Sequence, residues 1–265
     1  MAAYRAAEVF TRTGGFGPEV TRRRLLETLQ HFIECVESVE SLKPGGKGYL
    51  SSVRVRLLHA TVRERLLQIE RSKPGYFDTA EFGIPINDLH TVGTICLYST
   101  ALVYMVLPRQ EIHLSRQQAA DFISLWRWVG YVMGTPVDWM SSPEQAKVMM
   151  ESAFLFELQP SPRSKMLADN IFTTILRFPN LETSTNFLAA QTYRLNGPKL
   201  SSALGIAKPG FLMLSLIHAQ YLLLRIYSYS YLFMSINRQK SRSKVSHDYH
   251  PLFTASWQLG MKSTR

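Results

Sequence analysis

His59 and two nearby arginines combine side chains that can bind a metal ion and two carboxylates at once. Arg56 precedes the histidine by three residues and Arg63 follows it by four, so a helix places all three on one side. They border an apolar stripe made of Leu58, Val62, Leu66 and Ile69. Haem b has the matching chemistry, because its iron accepts a neutral histidine nitrogen and its propionates pair with arginine. The pattern by itself favours a simpler interpretation, a half-buried structural histidine beside solvated arginines.

A second polar face lies on the preceding helix. It contains Arg24, Glu27, Thr28 and His31, at the spacing i, i+3, i+4 and i+7. An apolar stripe that includes Leu25 and Phe32 lies opposite. Without further information, this spacing favours an exposed surface with a weak ion pair between Arg24 and Glu27.

Composition limits the classes of protein to which the chain can belong. It has 265 residues, of which 46% are hydrophobic and 19% charged, so it is globular and is not a disordered, collagen-like or disulfide-dense chain. The net charge of +10 predicts an anionic partner, which a nucleic acid, a membrane surface or a cofactor would provide. Basic and acidic residues are interleaved and no DNA-binding motif is present, so we do not expect a nucleic acid. Cys35 and Cys96 lie in apolar contexts and are expected to be reduced core residues.

Apolar spacing is helical along nearly the whole chain and predicts an all-α fold. Val53–Leu57 alternates like a strand, but the residues after it return to helical spacing, which favours a helix. We expect one helical domain at 1–236 and a basic, poorly ordered tail at 237–265. The long helices are predicted after Pro18, at about 51–71, from Asn87 or Asp88 through 92–107 to a stop before Pro108, at about 115–133, at 143–158 with Ser142 and Gln145 as a capping box, at 163–178 and from 209 onward.

The segment 211–235 is the longest apolar stretch, and the basic residues of 238–244 follow it. A membrane span with a positive flank and an amphipathic helix at a membrane surface or in the core both fit this pattern. Arg225 favours the second, because a charge in the middle of a span is costly. The first 20 residues lack a continuous apolar run, so we expect an intracellular protein, either cytoplasmic or associated with a membrane.

Several segments from about Thr13 to Gly205 resemble the catalytic domain shared by rubber oxygenases (latex clearing proteins) and the fungal endoplasmic reticulum (ER)-bound oxygenases of the mycophenolic acid pathway. The specific part is an Arg-x-x-[Lys or Glu]-Thr element at 24–28, about 30 residues before an Arg-x-x-His-Ala-x-x-Arg element at 56–63. Pro44-Gly45-Gly46 and the stretch from Gly83 to Leu89 add support.

This resemblance implies a haem b protein with an all-α, globin-like core, in which His59 is the proximal iron ligand. It also implies that Arg24 and Thr28 border the oxygen pocket and that Arg56 and Arg63 hold the propionates. The expected activity is haem-dependent oxidation by O2 of double bonds in a hydrophobic, isoprenoid-type substrate. The uncharged segment 92–107 is then expected to form an apolar wall for that substrate.

The sequence also departs from the family pattern. Glu27 stands where rubber oxygenases carry a lysine, and an acid there is able to act as a base near oxygen. His90 stands where an acidic residue is expected, and Glu8 is a second candidate for a catalytic acid. The chain begins close to the Arg24 element, which leads us to expect an N-terminally shortened variant. Two alternatives therefore stay open: a non-catalytic haem-binding member of the family, and a basic helical module at a membrane surface.

Overall fold

The computed structural model describes residues 3–178, 184–231 and 234. Within these residues the chain is helical and contains no β-strand, so the predicted all-α fold is confirmed. The helices are α1 (Tyr4–Thr13), α2 (Thr21–Val36), α3 (Val39–Leu42), α4 (Lys47–Ser72), α5 (Thr79–Phe82), α6 (Asp88–Tyr98), α7 (Leu107–Arg109), α8 (Arg116–Met133), α9 (Pro143–Glu157), α10 (Pro162–Leu176), α11 (Thr185–Asn196), α12 (Pro198–Ala203) and α13 (Phe211–Tyr231).

Polar side chains cap several helices at the residues that the sequence indicates. Asn87 accepts a hydrogen bond from the amide of His90 at the start of α6, and Ser142 accepts one from the amide of Gln145 at the start of α9. The complete capping box, however, belongs to α8, where Ser115 and Gln118 bond each other's amides. The segment 53–57 lies inside α4, so its predicted helical state is correct.

The uncharged segment 92–107 is not the single helix expected from the sequence. Helix α6 ends at Tyr98, and after a break at Ser99 the chain forms a π-helical turn, Leu102–Val106, that leads directly into α7. The hydroxyl of Ser99 donates to the carbonyl of Ile95 at 2.6 Å, and side-chain bonds of this kind compete with the helical ladder. The prediction of a stop before Pro108 is also wrong, because this proline lies in the first turn of α7, where no amide donor is needed.

The main core lies between α2, α6, α8 and α9. Trp126 is almost completely buried there and stacks on Phe32 and Tyr98, with ring centroids 5.6 Å and 5.4 Å away. Cys35 and Cys96 are buried and form no disulfide, as expected. Burial raises the pKa of both thiols to about 11, so neither is a reactive thiolate at neutral pH.

The chain divides into two compact units, and the boundary between them lies between Ile217 and His218, inside α13. The domain boundary that the sequence predicts, between 1–236 and 237–265, lies outside the described residues and stays a prediction. Helices α1 to α12 all belong to the first unit, and the candidate site lies within it.

Glu8 is a fully buried carboxylate that joins α1 to α10. Arg12 donates to one of its oxygens at 2.7 Å, and Arg163 of α10 donates to the other. Both arginines are partly exposed, so the buried charge is neutralised from the protein surface. This placement gives Glu8 a structural role in holding the N-terminal helix.

We expect Glu8→Gln to lower the free energy of unfolding by about 1–3 kcal/mol, because the neutral amide leaves both arginines without their counter-charge. The matched control is Glu40→Gln, since the ion pair of Glu40 with Lys43 is exposed on both sides. This control should change the free energy by less than about 0.5 kcal/mol. Denaturant titration followed by circular dichroism measures both values, and equal effects would contradict the structural role of Glu8.

Candidate functional site

Helices α2 and α4 run antiparallel and lie very close together at Gly48. A Cβ atom on Gly48 would lie 2.6 Å from the carbonyl oxygen of Glu34, so a larger residue would force the helices apart. The thiol of Cys35 lies on the same contact, 3.9 Å from the carbonyl oxygen of Gly48 and 3.7 Å from the hydroxyl of Ser52. This contact determines which residues of α2 and α4 lie opposite each other.

His59 lies in the inward-facing stripe of α4, two helical turns from Ser52 and two from Leu66. Ser52 is 1% exposed and Leu66 is 2% exposed, whereas His59 between them is only half-buried. The stripe is therefore packed at both ends and accessible in its middle.

The polar face of α2, which contains Arg24, Thr28 and His31, is likewise buried at its ends and accessible in its middle. Thr21 and Cys35, near its two ends, are fully buried, whereas Thr28 in the middle is exposed and Arg24 is partly exposed. The accessible parts of α2 and α4 carry the residues that the sequence singled out. Incomplete packing at this place is what a site for a ligand would require.

The electrostatic surroundings of His59 favour its neutral form. Burial lowers its pKa below the ordinary value, and the positive charge of Arg63 lowers it further. His31 and Arg24 of α2 contribute in the same direction, which shows that they lie within electrostatic reach of His59. In the described part of the chain, no group makes a hydrogen bond to its ring nitrogens. A neutral imidazole of this kind has a lone pair available for a metal.

Arg56 binds the C-terminal end of α8. Its Nη1 donates to the carbonyl oxygen of Val132 at 3.3 Å, and its guanidinium packs on Gly134, whose Cβ would lie 3.0 Å from the arginine Cζ. A cation at this end of a helix interacts favourably with unpaired carbonyls. The single bond to Val132 leaves further N–H donors on the guanidinium, which could bind a propionate. Propionate binding by Arg56 stays a prediction.

Arg63 braces the loop between α5 and α6. Its Nε donates to the carbonyl oxygen of Pro85 at 3.1 Å, and a second N–H donates to that of Ile86. Ile86 has φ +52°, a conformation that costs a β-branched residue about 1–3 kcal/mol. The loop ends at Asn87, the cap of α6, so Arg63 joins the middle of α4 to the start of α6. Its predicted contact with a propionate would use the remaining donors.

Glu27 lies at the edge of the polar face of α2, and its side chain is 52% exposed. It forms ion pairs with Arg23 at 3.5 Å and with Arg24 at 3.4 Å, as the spacing predicts for Arg24. It also lines a surface cleft of about 380 Å³ together with Arg22, Arg23, Leu26 and Gln30. Its carboxylate is therefore held next to Arg24, the residue expected at the oxygen pocket.

The structure adds one pair of residues to this region. Nδ1 of His31 lies 2.8 Å from the hydroxyl of Ser51, which connects α2 to α4 one turn from Thr28. Burial lowers the pKa of His31, and the negative charge of Glu34 partly opposes this. The helical spacing in the sequence placed His31 on the polar face of α2. Spacing within one helix could not pair it with a serine 20 residues away.

His90 lies in the first turn of α6, where its amide donates to the side chain of Asn87. Its Nε2 is buried without a hydrogen-bond partner among the described residues. Burial, assisted by the positive charge of Arg5, lowers its pKa to about 4. His90 is therefore neutral at physiological pH and does not reproduce the charge of an acidic residue at this position.

Comparisons with known proteins agree with this architecture. The family described as "ER-bound oxygenase mpaB/B'/Rubber oxygenase, catalytic domain" matches residues 2–218. A solved structure described as "Structure of Latex Clearing Protein LCP in the closed state" is similar with a TM-score of 0.65 and 15% identity, over 86% of this chain and 67% of that chain. At this identity the likeness supports the fold. A search of curated proteins found no match.

We expect Arg63→Lys to weaken the loop before α6, because a lysine cannot donate to both carbonyls with the geometry of a guanidinium. The free energy of unfolding should fall by about 1–2 kcal/mol, and the amides of Gly83, Ile84, Ile86 and Asn87 should exchange faster. Arg65→Lys is the matched control on the exposed side of α4. Unchanged exchange in Arg63→Lys would contradict the bracing role.

Proposed function

This chain belongs to the ER-bound oxygenase mpaB/B' and rubber oxygenase catalytic-domain family, and on that premise we propose that it is a haem b-dependent oxygenase. It uses O2 to cleave or oxygenate carbon–carbon double bonds of a hydrophobic, isoprenoid-type substrate. The family match supports the oxygenase activity, while the haem and the substrate are our proposal. The single observation that carries it is His59, a neutral imidazole without a hydrogen-bond partner among the described residues, in the accessible middle of α4.

The donor set around His59 fits haem better than a metal held by the protein alone. Within residues 3–178, 184–231 and 234, no group of three or more His, Cys, Asp or Glu side chains is placed to hold a metal ion. The charged residues near His59 are arginines, which repel a free cation but pair with carboxylates. A porphyrin needs one histidine from the protein, cationic partners for its propionates and space between two helices. His59 can supply the histidine, and Arg56 and Arg63 can supply the cationic partners.

Residues of α2 and α4 would bind the iron, orient oxygen and hold a proton. His59 would hold the iron from α4, and the bound haem supplies the iron chemistry that activates O2. Arg24 and Thr28, on the facing helix, offer N–H and O–H donors that can orient oxygen. Glu27, paired with Arg24, can hold a proton beside them.

Arg56 and Arg63 flank His59 and each keeps unused donors after binding backbone carbonyls. A guanidinium has five N–H groups, of which Arg56 uses one and Arg63 uses two in these bonds. The remaining donors can pair with propionates, and the backbone bonds hold the side chains in place beforehand. The arginines thus orient the haem while they brace the scaffold.

The substrate class follows from the family and from the reaction. Addition of both atoms of O2 across a double bond, with cleavage of that bond, yields two carbonyl groups and needs no other reductant. An electron-rich isoprenoid double bond suits this chemistry. Part of the segment 92–107 packs in the core, through Val92, Cys96 and Ala101 with Met150. Its role as a wall for the substrate stays a prediction.

We expect the wild-type chain to bind about one haem b and to show a Soret band that His59→Ala removes or shifts, with at least about tenfold weaker binding. His113→Ala is the matched control, because His113 is exposed and lies outside the site. Absorption spectra in the ferric, ferrous and CO-bound states measure the effect. An unchanged spectrum for His59→Ala would show that His59 is not the ligand.

We expect the haem-loaded chain to convert a polyprenoid to two carbonyl fragments, each carrying one atom from isotopically labelled O2. Mass spectrometry of reactions under labelled O2 and under nitrogen measures the products. A labelled product with an intact carbon chain would mean oxygenation without cleavage. Haem uptake with no oxygen-dependent product from any polyprenoid would instead support a non-catalytic haem-binding protein, which the ion-paired glutamate at position 27 also favours.

A further inference from the structure

The side of helix α2 that faces away from α4 exposes three large apolar side chains. Leu26 is 44% exposed, Leu29 is 53% exposed and Ile33 is 52% exposed. At 100° per residue the three lie within a sector of about 60°. Cys35, which is fully buried against α4, lies on the opposite side of the helix. Leu26, Leu29 and Ile33 therefore form an apolar strip on the surface, the outer strip of α2, which the candidate site does not use.

Charged residues of opposite sign lie at the two ends of the outer strip. Arg22 and Arg23 precede it, whereas Glu34 and Glu37 follow it. This order opposes the helix macrodipole, which favours acidic residues in the first turn and basic residues in the last turn. Helix α2 has no acidic residue in its first turn and no basic residue in its last turn. The arrangement is unfavourable for α2 alone, but it suits a partner that brings the reverse order of charges.

The charges at both ends are accessible to such a partner. Arg23 pairs with Glu27 at 3.5 Å, and Glu37 pairs with Lys47 at 3.6 Å. The side chain of Arg23 is 68% exposed and that of Glu37 is 48% exposed. Exposed pairs at these distances contribute little to stability, so the same groups can also pair with another molecule.

A second copy of α2, turned antiparallel, provides the reverse order of charges. A two-fold axis that passes between Leu29 and Gln30 places Leu26 of one copy opposite Ile33 of the other. The same axis places Arg22 opposite Glu37. Each contact then occurs twice, and the two helix dipoles run antiparallel. A parallel pair would instead place arginines against arginines and glutamates against glutamates.

A surface cleft beside Leu26 provides room for an apolar side chain of the second copy. Its volume is about 380 Å³, and Arg22, Arg23, Leu26 and Gln30 are among the residues that line it. In the antiparallel arrangement, Ile33 of the second copy lies opposite this cleft. Insertion of a side chain between residues of the facing helix is the usual way in which two helices pack.

We propose that the outer strip of α2 is the interface of a symmetric, antiparallel homodimer. Leu26, Leu29 and Ile33 pack across the two-fold axis, and the arginines at one end of each strip pair with the glutamates of the other copy. The strip is about 24 Å long and one helix wide, smaller than the roughly 800 Å² per partner of a standard complex, so the dimer is reversible. Neither the haem nor the substrate enters this argument, which makes it independent of the proposed function.

Sedimentation equilibrium of the full-length chain tests the proposal. We expect the average mass to rise with concentration from 30.2 kDa toward twice this value. Leu26→Gln with Ile33→Gln should weaken self-association by about tenfold or more, because two apolar side chains of each copy lose their packing. The matched control is Leu155→Gln with Phe156→Gln, since these side chains of α9 are also exposed and should not affect association. Circular dichroism verifies that each variant is folded.

Two charge reversals test the antiparallel pairing itself. Arg22→Glu and Glu37→Arg should each weaken self-association by about fivefold or more, because like charges then meet twice in every homodimer. An equimolar mixture of the two variants should associate about as tightly as the wild type. In the mixed dimer the two reversed charges face each other, and the other pair is unaltered.

Three results would overturn the proposal. The first is a wild-type chain that stays monomeric up to ~100 µM, which would assign the outer strip to a different protein. The second is self-association that Leu26→Gln with Ile33→Gln does not weaken more than the control does, which would place the contact on another surface. The third is a mixture of the two charge variants that associates no better than either alone. Haem spectra of the same variants separate a failure here from a failure of the proposed function.

Discussion

The close approach of Gly48 to the carbonyl of Glu34 is the contact on which the candidate site depends. Only the absence of a side chain allows α2 and α4 to meet there, and Cys35 fills the space beside the contact. Because both helices are rigid, a fixed crossing at one end determines what lies opposite His59 at the other. That is how Arg24 comes within electrostatic reach of a histidine 35 residues further along the chain.

Packing around α2 and α4 is complete at their ends and incomplete between them. A core would normally bury the middle of both stripes, and leaving His59 half-buried sacrifices hydrophobic contacts there. The structure compensates with bonds that surround the opening: His31 to Ser51, Arg56 to α8, and Arg63 to the loop with Ile86. Backbone strain at Ile86 lies beside this opening, as is common near functional sites.

Arginines account for much of this organisation. Arg12 and Arg163 neutralise the buried Glu8, while Arg56, Arg63 and Arg109 donate to backbone carbonyls of distant segments. A planar guanidinium suits these positions because it holds several fixed donors and remains charged. Part of the positive charge of the body is therefore structural, and six further Lys and Arg residues lie after position 236.

The sequence by itself determined the helical class, most of the long helices, the caps at Asn87 and Ser142, and the common face of Arg56, His59 and Arg63, because these follow from spacing within one or two turns. The tertiary structure alone decided the break at Ser99, the pairing of His31 with Ser51, and the carbonyls that Arg63 binds. These depend on which distant segments meet, and the register of two helices is set by their packing, which periodicity does not encode. The family motif indicated that Arg24 and His59 belong to one site, but their approach across two helices is a property of the fold.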